Sequence, residues 1–349
     1  MTVIKRHRTR VVKIGAVRIG GAFPVAIQSM AKTKTAAVER TVAQIKRLAA
    51  AGCEIIRVAV KDEADARAIA AIKRQIRIPL VADIHFDWRL AIRAVDSGAD
   101  KIRLNPGNIF KSKQVREVVA AAQQARIPIR VGLNSGSVRG AGDPVRRMVD
   151  SALVYTRAIE RMNFDNLVVS LKASDAAGTV RAYREFSRHT SYPLHLGVTA
   201  TGLPAEGVIK SSVAIGALLL DGIGDTIRIS LTDTPEKEIQ SARTLLQALG
   251  VRHFQHRIIS CPTCGRCEVN LIKVVNQLQQ ALADRPLAGR APLKVAVMGC
   301  VVNGPGESRE ADIGIAFGKK EGLLFKKGKP IRKIPVDNCV KVLLREMNL

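Results

Sequence analysis

Aromatic residues are scarce in this sequence, at 3% of 349 residues. Few side chains can therefore stack on the bases of a single strand, and no zinc-finger or RNA-recognition motif is present, so we expect no nucleic-acid partner. No apolar run approaches the roughly 18 residues of a membrane span, so we expect no membrane association. The basic N-terminus lacks the apolar segment of an export signal, which favours a cytoplasmic location.

Cysteine and acidic residues are scarce as well. Six cysteines are too few to stabilise 349 residues through a disulfide framework. Against 56 Lys and Arg residues there are only 30 Asp and Glu residues, which leaves a formal net charge of +26. Basic residues concentrate at 5–13 and 319–333. Because a field of this sign attracts phosphorylated substrates and acidic proteins, we expect an anionic ligand and an acidic partner.

The sequence between residues 25 and 249 alternates short apolar runs with helical patterns. The runs are rich in Val, Ile and Leu and nearly continuous, which is typical of strands buried on both faces. They lie at 25–30, 54–60, 80–85, 101–105, 129–134, 167–172, 194–199 and 226–231. Eight strands, each followed by a helix, predict an α/β fold with a closed (β/α)8 TIM-type barrel. A doubly wound open sheet would usually carry a Gly-rich phosphate turn after its first strand, and none is present there.

The pattern divides the chain into two predicted domains, a substrate-binding barrel at 1–250 and a small α/β domain at 251–349. In the second domain it predicts strands at 257–260, 294–298 and 312–317, a hairpin at 323–334, and helices at 269–282 and 336–347. This domain has little room for a substrate pocket of its own. We therefore expect it to carry a metal centre.

Polar residues end the apolar runs of the barrel, at the rim where TIM-type barrels bind ligands. Single charges in buried strands are costly unless they are paired or used. Each of these polar residues, taken alone, has a structural explanation. For example, Asp83 could neutralise an arginine, and His195 could be a core histidine. Five cations at one rim are harder to explain in this way, and they suit a diphosphate. The rim residues are Arg57, Asp83, His85, Arg103, Asn105, Arg130, Asn134, Ser170, Lys172, His195, Thr199, Arg228 and Ser230.

Four of the six cysteines fall in one stretch, at Cys261, Cys264, Cys267 and Cys300. Thiolates spaced two residues apart in a turn bind one metal centre, and a cysteine from a distant strand extends the ligand set. This spacing suits an iron–sulfur cluster, and it also suits a structural zinc ion. The C-x2-C-x2-C run resembles a ferredoxin segment, although the Cys-Pro of that segment does not follow.

Two strings around these cysteines resemble the cluster motifs of the 4-hydroxy-3-methylbut-2-en-1-yl diphosphate synthase family. They are SCPTCGR at 260–266 and GCVVNGPGE at 299–307. This family comprises iron–sulfur enzymes of the non-mevalonate isoprenoid pathway. The resemblance covers nearly the whole chain and is to the compact bacterial form. Its barrel strings are PVAIQSM at 24–30, ADIHFD at 82–87, IRLNPGNI at 102–109, VSLKASD at 169–175, LHLGVT at 194–199 and GIGDTIRISL at 222–231.

The resemblance implies a [4Fe–4S] cluster ligated by Cys261, Cys264, Cys300 and Glu307, with Cys267 outside the ligand set. A carboxylate is a weaker and more exchangeable iron ligand than a thiolate. The implied reaction is the reductive ring opening and dehydration of 2-C-methyl-D-erythritol 2,4-cyclodiphosphate to 4-hydroxy-3-methylbut-2-enyl diphosphate. The implied partners are ferredoxin or flavodoxin as electron donor and a second copy of the chain in a head-to-tail homodimer.

The resemblance also implies roles for the rim residues. The implied catalytic residues are the cluster ligand Glu307 and the rim residues Asp83, His85 and His195, and the three rim residues are implied to orient the substrate or move protons. The residues implied to bind the substrate diphosphate are Arg57, Arg103, Asn105, Arg130, Asn134, Lys172, Arg228 and Ser230.

One segment departs from the family pattern. Where the family commonly has Thr-Glu-Ala-Gly, this chain has Thr199-Ala200-Thr201-Gly202. The carboxylate of that motif is therefore missing. Either Glu206 or the hydroxyl group of Thr199 or Thr201 replaces it, or the role of this carboxylate is dispensable in this lineage.

Two other functions fit parts of the sequence. An electron-transfer iron–sulfur protein without a substrate would use Cys267 as its fourth ligand. A zinc-stabilised nucleic-acid-binding protein would contain zinc and bind with steeply salt-dependent affinity. The change Glu307→Ala separates the enzyme from the electron-transfer protein, because turnover falls sharply only if this carboxylate serves an active cluster.

Overall fold

The structure is a computed structural model that describes residues 4–138, 141–283, 285, 287, 290–302, 306 and 309–349. Packing divides the chain into two compact units, Met1–Arg252 and His253–Leu349. The division falls two residues beyond the boundary expected from the sequence. Within the described ranges, no helix combines the length and the apolar character needed to cross a bilayer.

The first unit begins with a small antiparallel hairpin that the sequence analysis did not predict. Its strands are β1 (Val12–Ile14) and β2 (Val17–Ile19). The hairpin buries Val12, Ile14 and Ile19 against residues near the starts of barrel strands, namely Ala26, Ile55, Val81 and Val168. The hairpin therefore covers the N-terminal end of the barrel with apolar side chains.

The rest of the first unit is an eight-stranded parallel barrel, which confirms the predicted fold class. Its strands are β3 (Ala26–Met30), β4 (Ile55–Val60), β5 (Leu80–Ile84), β6 (Lys101–Leu104), β7 (Ile129–Asn134), β8 (Leu167–Lys172), β9 (His195–Leu196) and β10 (Thr226–Ile227). They are arranged in the order β8-β7-β6-β5-β4-β3-β10-β9. A bridge between Val169 and Leu194 joins the two ends of this order and closes the ring.

The last two barrel strands are shorter than predicted, so the expected extents 194–199 and 226–231 are wrong. Regular pairing in each ends after two residues. Strand pairing in β9 stops at Leu196, and further along Ala200 and Gly202 adopt positive φ angles of 52° and 83°. This irregular segment places backbone and side chains at the barrel mouth.

Eight helices surround the barrel strands in the described part of the first unit. They are α1 (Val38–Ala51), α2 (Glu63–Lys73), α3 (Trp88–Asp96), α4 (Ser112–Gln124), α5 (Pro144–Glu160), α6 (Ala176–His189), α7 (Pro204–Leu220) and α8 (Pro235–Ala248). Several begin at an aspartate whose carboxylate accepts a backbone N–H of the first turn, which satisfies one of its free donors. Asp62, Asp87, Asp143 and Asp175 act in this way.

The second unit is a five-stranded mixed sheet with helices packed on it. Its elements are β11 (Arg257–Ser260), α9 (Leu271–Ala283), β12 (Lys294–Met298), β13 (Ile313–Phe317), β14 (Glu321–Lys326), β15 (Lys329–Pro335) and α10 (Cys339–Glu346). Strands β11, β12 and β13 are parallel, whereas β14 and β15 form an antiparallel hairpin at the edge. Lys327 and Gly328 both have positive φ at the hairpin turn, which matches the predicted turn.

Candidate active site

A polar cavity of about 220 Å³ opens at the C-terminal ends of the barrel strands. We call it the rim cavity. It brings together all five predicted cations and the predicted Asp83. Its lining residues are Arg57, Asp83, Arg103, Arg130, Asn134, Ser170, Lys172, Val198, Thr199, Ala200, Arg228 and Ser230.

Strand register explains why these side chains meet. Asp83 of β5 is paired with Arg103 of β6, and Arg103 is paired with Arg130 of β7. On β7 and β8, Asn134 is paired with Lys172. Because paired residues on parallel strands point to the same face, each set extends into the barrel on neighbouring strands. The sequence therefore determines the cavity through the phase of alternation in each strand.

Asp83 is the carboxylate around which two arginines are arranged. Its Oδ1 lies 3.2 Å from Arg103 Nη1, and its Oδ2 lies 3.6 Å from Arg57 Nε. Arg103 Nη2 also donates to the carbonyl oxygen of Gly132 at 2.8 Å. Burial raises the pKa of Asp83, but attraction by Arg57, Arg103 and Arg130 outweighs burial and lowers this pKa to about 2. Asp83 is therefore ionised at neutral pH and holds the guanidinium groups in place.

Arg130 and Lys172 are buried cations without a comparable counter-ion. Arg130 is 1% exposed, and its Nε and Nη1 have no hydrogen-bond acceptor among the described residues. Burial, together with the surrounding arginines, lowers the pKa of Arg130 and of Lys172 well below their ordinary values. A buried donor with no acceptor costs free energy. An anion in the rim cavity would supply the missing acceptors.

Glu238 is a buried acid behind the cavity that the sequence analysis missed. It lies on α8, and its Oε2 is 3.6 Å from Arg228 Nη2 while its Oε1 is 3.1 Å from Lys32 Nζ. Its Oε1 also accepts the backbone N–H of Leu231 at 3.0 Å. Burial and repulsion from Arg57 lower the pKa of Arg228 to about 10, although Glu238 partly offsets this. One feature of the sequence indicated this buried acid: Glu238 lies on the face of α8 that also carries the buried residues Ile239 and Ala242.

The three other predicted barrel residues do not line the rim cavity. Asn105 is buried, and its Oδ1 accepts the backbone N–H of Gly107 at 3.1 Å. His85 is half-buried, with its ring edge-on to Phe86, and it lies near Asp83.

The sequence predicted His195 at the rim. The side chain lies instead inside the barrel. Its side chain is fully buried, and its Nδ1 is 2.8 Å from Thr226 Oγ1. Burial, followed by repulsion from Arg130 and Lys172, lowers the pKa of His195 well below its ordinary value. The imidazole is therefore neutral at neutral pH.

The segment that lacks the family carboxylate contributes Thr199 and Ala200 to the cavity lining. Of the candidate replacements, Thr201 is buried and its hydroxyl donates to the carbonyl oxygen of Ser230. Glu206 is exposed and pairs with Lys210 at 2.6 Å. Thr199 is thus the one of the three candidates that reaches the cavity.

The cysteine turn follows β11 in the second unit. Cys261 Sγ accepts the backbone N–H of Gly299 at 3.3 Å, and Cys267 Sγ donates to the carbonyl oxygen of Val269 at 3.2 Å. A Cβ atom on Gly299 would lie 2.4 Å from Cys267 Sγ and 3.5 Å from Cys261 Sγ. Only a glycine fits here, so its backbone can approach both sulfurs. Cys264 is exposed.

These residues fit an iron–sulfur cluster in their chemistry. In the described ranges, no three His, Cys, Asp or Glu side chains converge on a point that would hold a single metal ion. Because a cluster is bound through separate irons, its thiolates do not need to converge on one point. The N–H···S bond from Gly299 is of the kind that tunes such a centre. The fourth expected ligand, Glu307, lies outside the described residues.

Comparison with known proteins gives family matches over both units. The model of the GcpE TIM-barrel domain matches residues 9–243, and that of the GcpE protein C-terminal domain matches residues 257–349. A relative from Anoxybacillus flavithermus is 50% identical, covering 99% of this chain and 96% of the relative. Another from Caldicellulosiruptor saccharolyticus is 51% identical, covering 97% and 98%. Both relatives are named 4-hydroxy-3-methylbut-2-en-1-yl diphosphate synthase (flavodoxin).

Solved structures match the barrel at low sequence identity. Dihydropteroate synthase from Stenotrophomonas maltophilia has a TM-score of 0.52 and 17% identity, covering 69% of this chain and 98% of that chain. At this identity the match shows the fold alone.

Proposed function

The chain belongs to the GcpE family, and we propose that the rim cavity binds the family's cyclic diphosphate substrate. The chain is an oxidoreductase of isoprenoid biosynthesis, a 4-hydroxy-3-methylbut-2-en-1-yl diphosphate synthase of the non-mevalonate pathway. The substrate is 2-C-methyl-D-erythritol 2,4-cyclodiphosphate. Its ring C–O bond to phosphate opens, two electrons and two protons enter, and one hydroxyl leaves as water.

The observation that carries the proposal is the excess of buried positive charge. Within the described part of the chain, five cations and one carboxylate, Asp83, line the rim cavity. Arg130 contributes N–H donors that have no acceptor among the described residues. Arginine forks bind phosphate oxygens through paired hydrogen bonds, and a lysine adds a point charge. A diphosphate would therefore satisfy donors that the folded protein leaves open.

Preorganisation is the proposed contribution of Asp83 and Glu238. Asp83 fixes Arg57 and Arg103, and Glu238 fixes Arg228. Donors that are held in place before the substrate arrives need no reorganisation as charge develops on the leaving oxygen. Asn134, Ser170, Thr199 and Ser230 provide neutral hydrogen-bonding groups around the same cavity.

Charge stabilisation is the proposed role of Lys172. Its pKa is lowered in the absence of substrate, and a bound diphosphate would raise it by attraction. The diphosphate would thus favour the charged form of Lys172 beside the leaving oxygen. His85 is close enough to influence Asp83, and we propose that it helps to orient the substrate. We propose that the neutral His195 positions Arg130 and Lys172 from below.

Cys261, Cys264, Cys300 and Glu307 are the proposed ligands of a [4Fe–4S] cluster. When bound, the cluster supplies the electrons for the reduction one at a time. The chain supplies three thiolates, one exchangeable carboxylate and the Gly299 N–H bond to Cys261. We further propose that the chain forms a head-to-tail homodimer and is cytoplasmic. We propose flavodoxin, which the names of the relatives include, as the electron donor, with ferredoxin as the alternative.

Anaerobic turnover of the cyclodiphosphate with a chemical reductant tests the function. We expect one product per two electrons, with iron and sulfide in equal amounts in the purified protein. The change Arg130→Met should abolish most turnover and leave the iron and sulfide counts unchanged. A colourless protein that contains zinc, or a protein that holds iron but never consumes the substrate, would contradict the proposal.

A further inference from the structure

The end of the second unit's sheet that carries the cysteines also carries two lysines. Strands β11, β12 and β13 are parallel, so their C-terminal ends lie at the same end of the sheet. Met298 of β12 is paired with Ala316 of β13. Cys300 and Gly318 each come two residues after this pair, so both lie at that end of the sheet. Neighbouring strands are about 4.8 Å apart, so the turn after β13 begins about one strand spacing from the segment with Cys300.

This turn presents Lys319 and Lys320 to solvent. The backbone N–H of Gly318 donates to the carbonyl oxygen of Glu321 at 2.8 Å, which closes the turn with both lysines at its tip. Both are exposed, and neither forms an ion pair with any residue in the described ranges. The adjacent acid, Glu321, pairs with Lys333. The positive charge at this turn is therefore not neutralised by its neighbours.

Exposed apolar residues lie beside the same cysteines. Val301 and Val302, directly after Cys300, are 57% and 66% exposed. Arg266, between Cys264 and Cys267, is exposed and forms no ion pair with a described residue. A small apolar area with charges around it is typical of a transient protein interface, since the charges steer the encounter and the apolar contact excludes water.

We propose that Arg266, Val301, Val302, Lys319 and Lys320 form the docking surface for an acidic, flavin-carrying electron donor. We call it the cysteine-end surface, and the proposal rests on the proposed function. In each encounter the reduced flavin would lose one electron, and the cluster proposed to be held by the cysteines would accept it. Two encounters supply the two electrons of the ring opening.

Position separates this surface from the other basic part of the sheet. Lys327 and Lys329 are also exposed, but they flank the β14–β15 turn at the opposite end. The six residues of β14 separate the two ends by about 20 Å. Charge would attract a donor to either end, but only the cysteine end places it beside the metal ligands.

Charge reversal at each end tests the proposal with a matched control. The holoenzyme variants K319E/K320E and K327E/K329E change the net charge equally. Isothermal titration measures the Kd for flavodoxin at low and high ionic strength, and turnover is measured with flavodoxin and, separately, with reduced methyl viologen. For K319E/K320E we expect at least about tenfold weaker binding and a matching loss of flavodoxin-driven turnover, with viologen-driven turnover and iron content unchanged. For K327E/K329E we expect less than about a twofold change in Kd.

Three outcomes would overturn the docking proposal. Equal weakening in both variants would show that bulk charge alone attracts the donor. An unchanged Kd in K319E/K320E would place the donor elsewhere. A loss of viologen-driven turnover in K319E/K320E would show that the lysines serve the active site itself. Failure of the proposed function is a different result, in which the unaltered protein converts no substrate with either reductant.

Discussion

Arg130 and Lys172 are cations buried in a place where the folded chain offers them little compensation. Burial and neighbouring arginines lower the pKa of both groups. Among the described residues, Asp83 is the only carboxylate that lines the rim cavity, and it lies within ion-pair distance of Arg57 and Arg103. The cavity therefore gains stability when an anion enters, and proton binding should be coupled to anion binding.

The pH dependence of diphosphate binding is the first prediction at this scale. Lys172 has a lowered pKa in the free protein, and a bound anion raises it, so in the pH range between these two pKa values binding takes up a proton and affinity falls as pH rises. Calorimetry with inorganic pyrophosphate in two buffers of different protonation enthalpy measures this uptake. Lys172→Met should remove the uptake, whereas Lys210→Met, at an exposed ion pair, should retain it. Equal uptake in both variants would assign the proton to another group.

Gly197 gives a second prediction at the residue scale. A Cβ atom here would lie 2.8 Å from Lys172 Nζ and 2.8 Å from the carbonyl oxygen of Arg228. Gly197→Ala should therefore displace Lys172 and weaken pyrophosphate binding by about 10- to 100-fold, the value of a hydrogen bond to a charged group. Gly216→Ala is the control, because its Cβ would meet only Leu245 Cδ1 at 3.9 Å. Unchanged affinity in Gly197→Ala would show that Lys172 does not contact the anion.

At the scale of elements, α8 connects the ends of two barrel strands through Glu238. Its carboxylate contacts Lys32 after β3, and Arg228 and Leu231 after β10. Strand β10 itself has only two paired residues. The segment after it keeps two backbone hydrogen bonds, from Arg228 N–H to the carbonyl oxygen of Leu196 at 3.0 Å and from Thr232 N–H to that of Gly202 at 2.9 Å, and the Glu238 side chain adds to them.

Replacement of Glu238 tests this role. Glu238→Gln leaves Arg228 and Lys32 without a carboxylate in a buried setting and should lower the free energy of unfolding by about 3 kcal/mol. Urea unfolding provides the measurement. Glu236→Gln on the same helix removes only an exposed pair with Arg47 and should change this free energy by about 0.5 kcal/mol or less. Equal effects of the two changes would contradict the account.

The cysteine turn provides the next prediction. Cys267 Sγ donates to Val269 and packs against the apolar core of the second unit. Cys267→Ser should therefore retain iron and sulfide, whereas Cys264→Ser should lose most of both. Metal analysis after anaerobic purification is the measurement. Loss of iron in Cys267→Ser, with retention in Cys264→Ser, would favour the alternative in which Cys267 is the fourth ligand.

Sequence patterns predicted those elements whose burial is uniform. Continuous apolar runs located the first six barrel strands within about one residue of their observed bounds. The extents of β9 and β10 were mispredicted because apolar residues such as Val198 and Ile229 are buried without being paired in the sheet. Glu238 was missed for a related reason, since its partners come from segments about 200 residues earlier and only a few residues before it. Periodicity does not report such contacts.

At the scale of the whole molecule, the positive charge has two parts with different uses. The five cations of the rim cavity lie close together in a buried setting that favours an anionic ligand. Exposed lysines and arginines also contribute to the chain's net charge of +26, and they act on partners over a distance. Donor association should therefore weaken as salt rises, while binding inside the buried cavity should be screened much less.

A crystal structure of the anaerobic protein with the cyclodiphosphate tests the central claim most directly. We predict that both phosphate groups occupy the rim cavity, with oxygens in hydrogen-bond distance of Arg130 and Lys172. Arg57 and Arg103 should remain on Asp83. A diphosphate bound away from these four cations, with Arg130 still lacking an acceptor, would contradict the account.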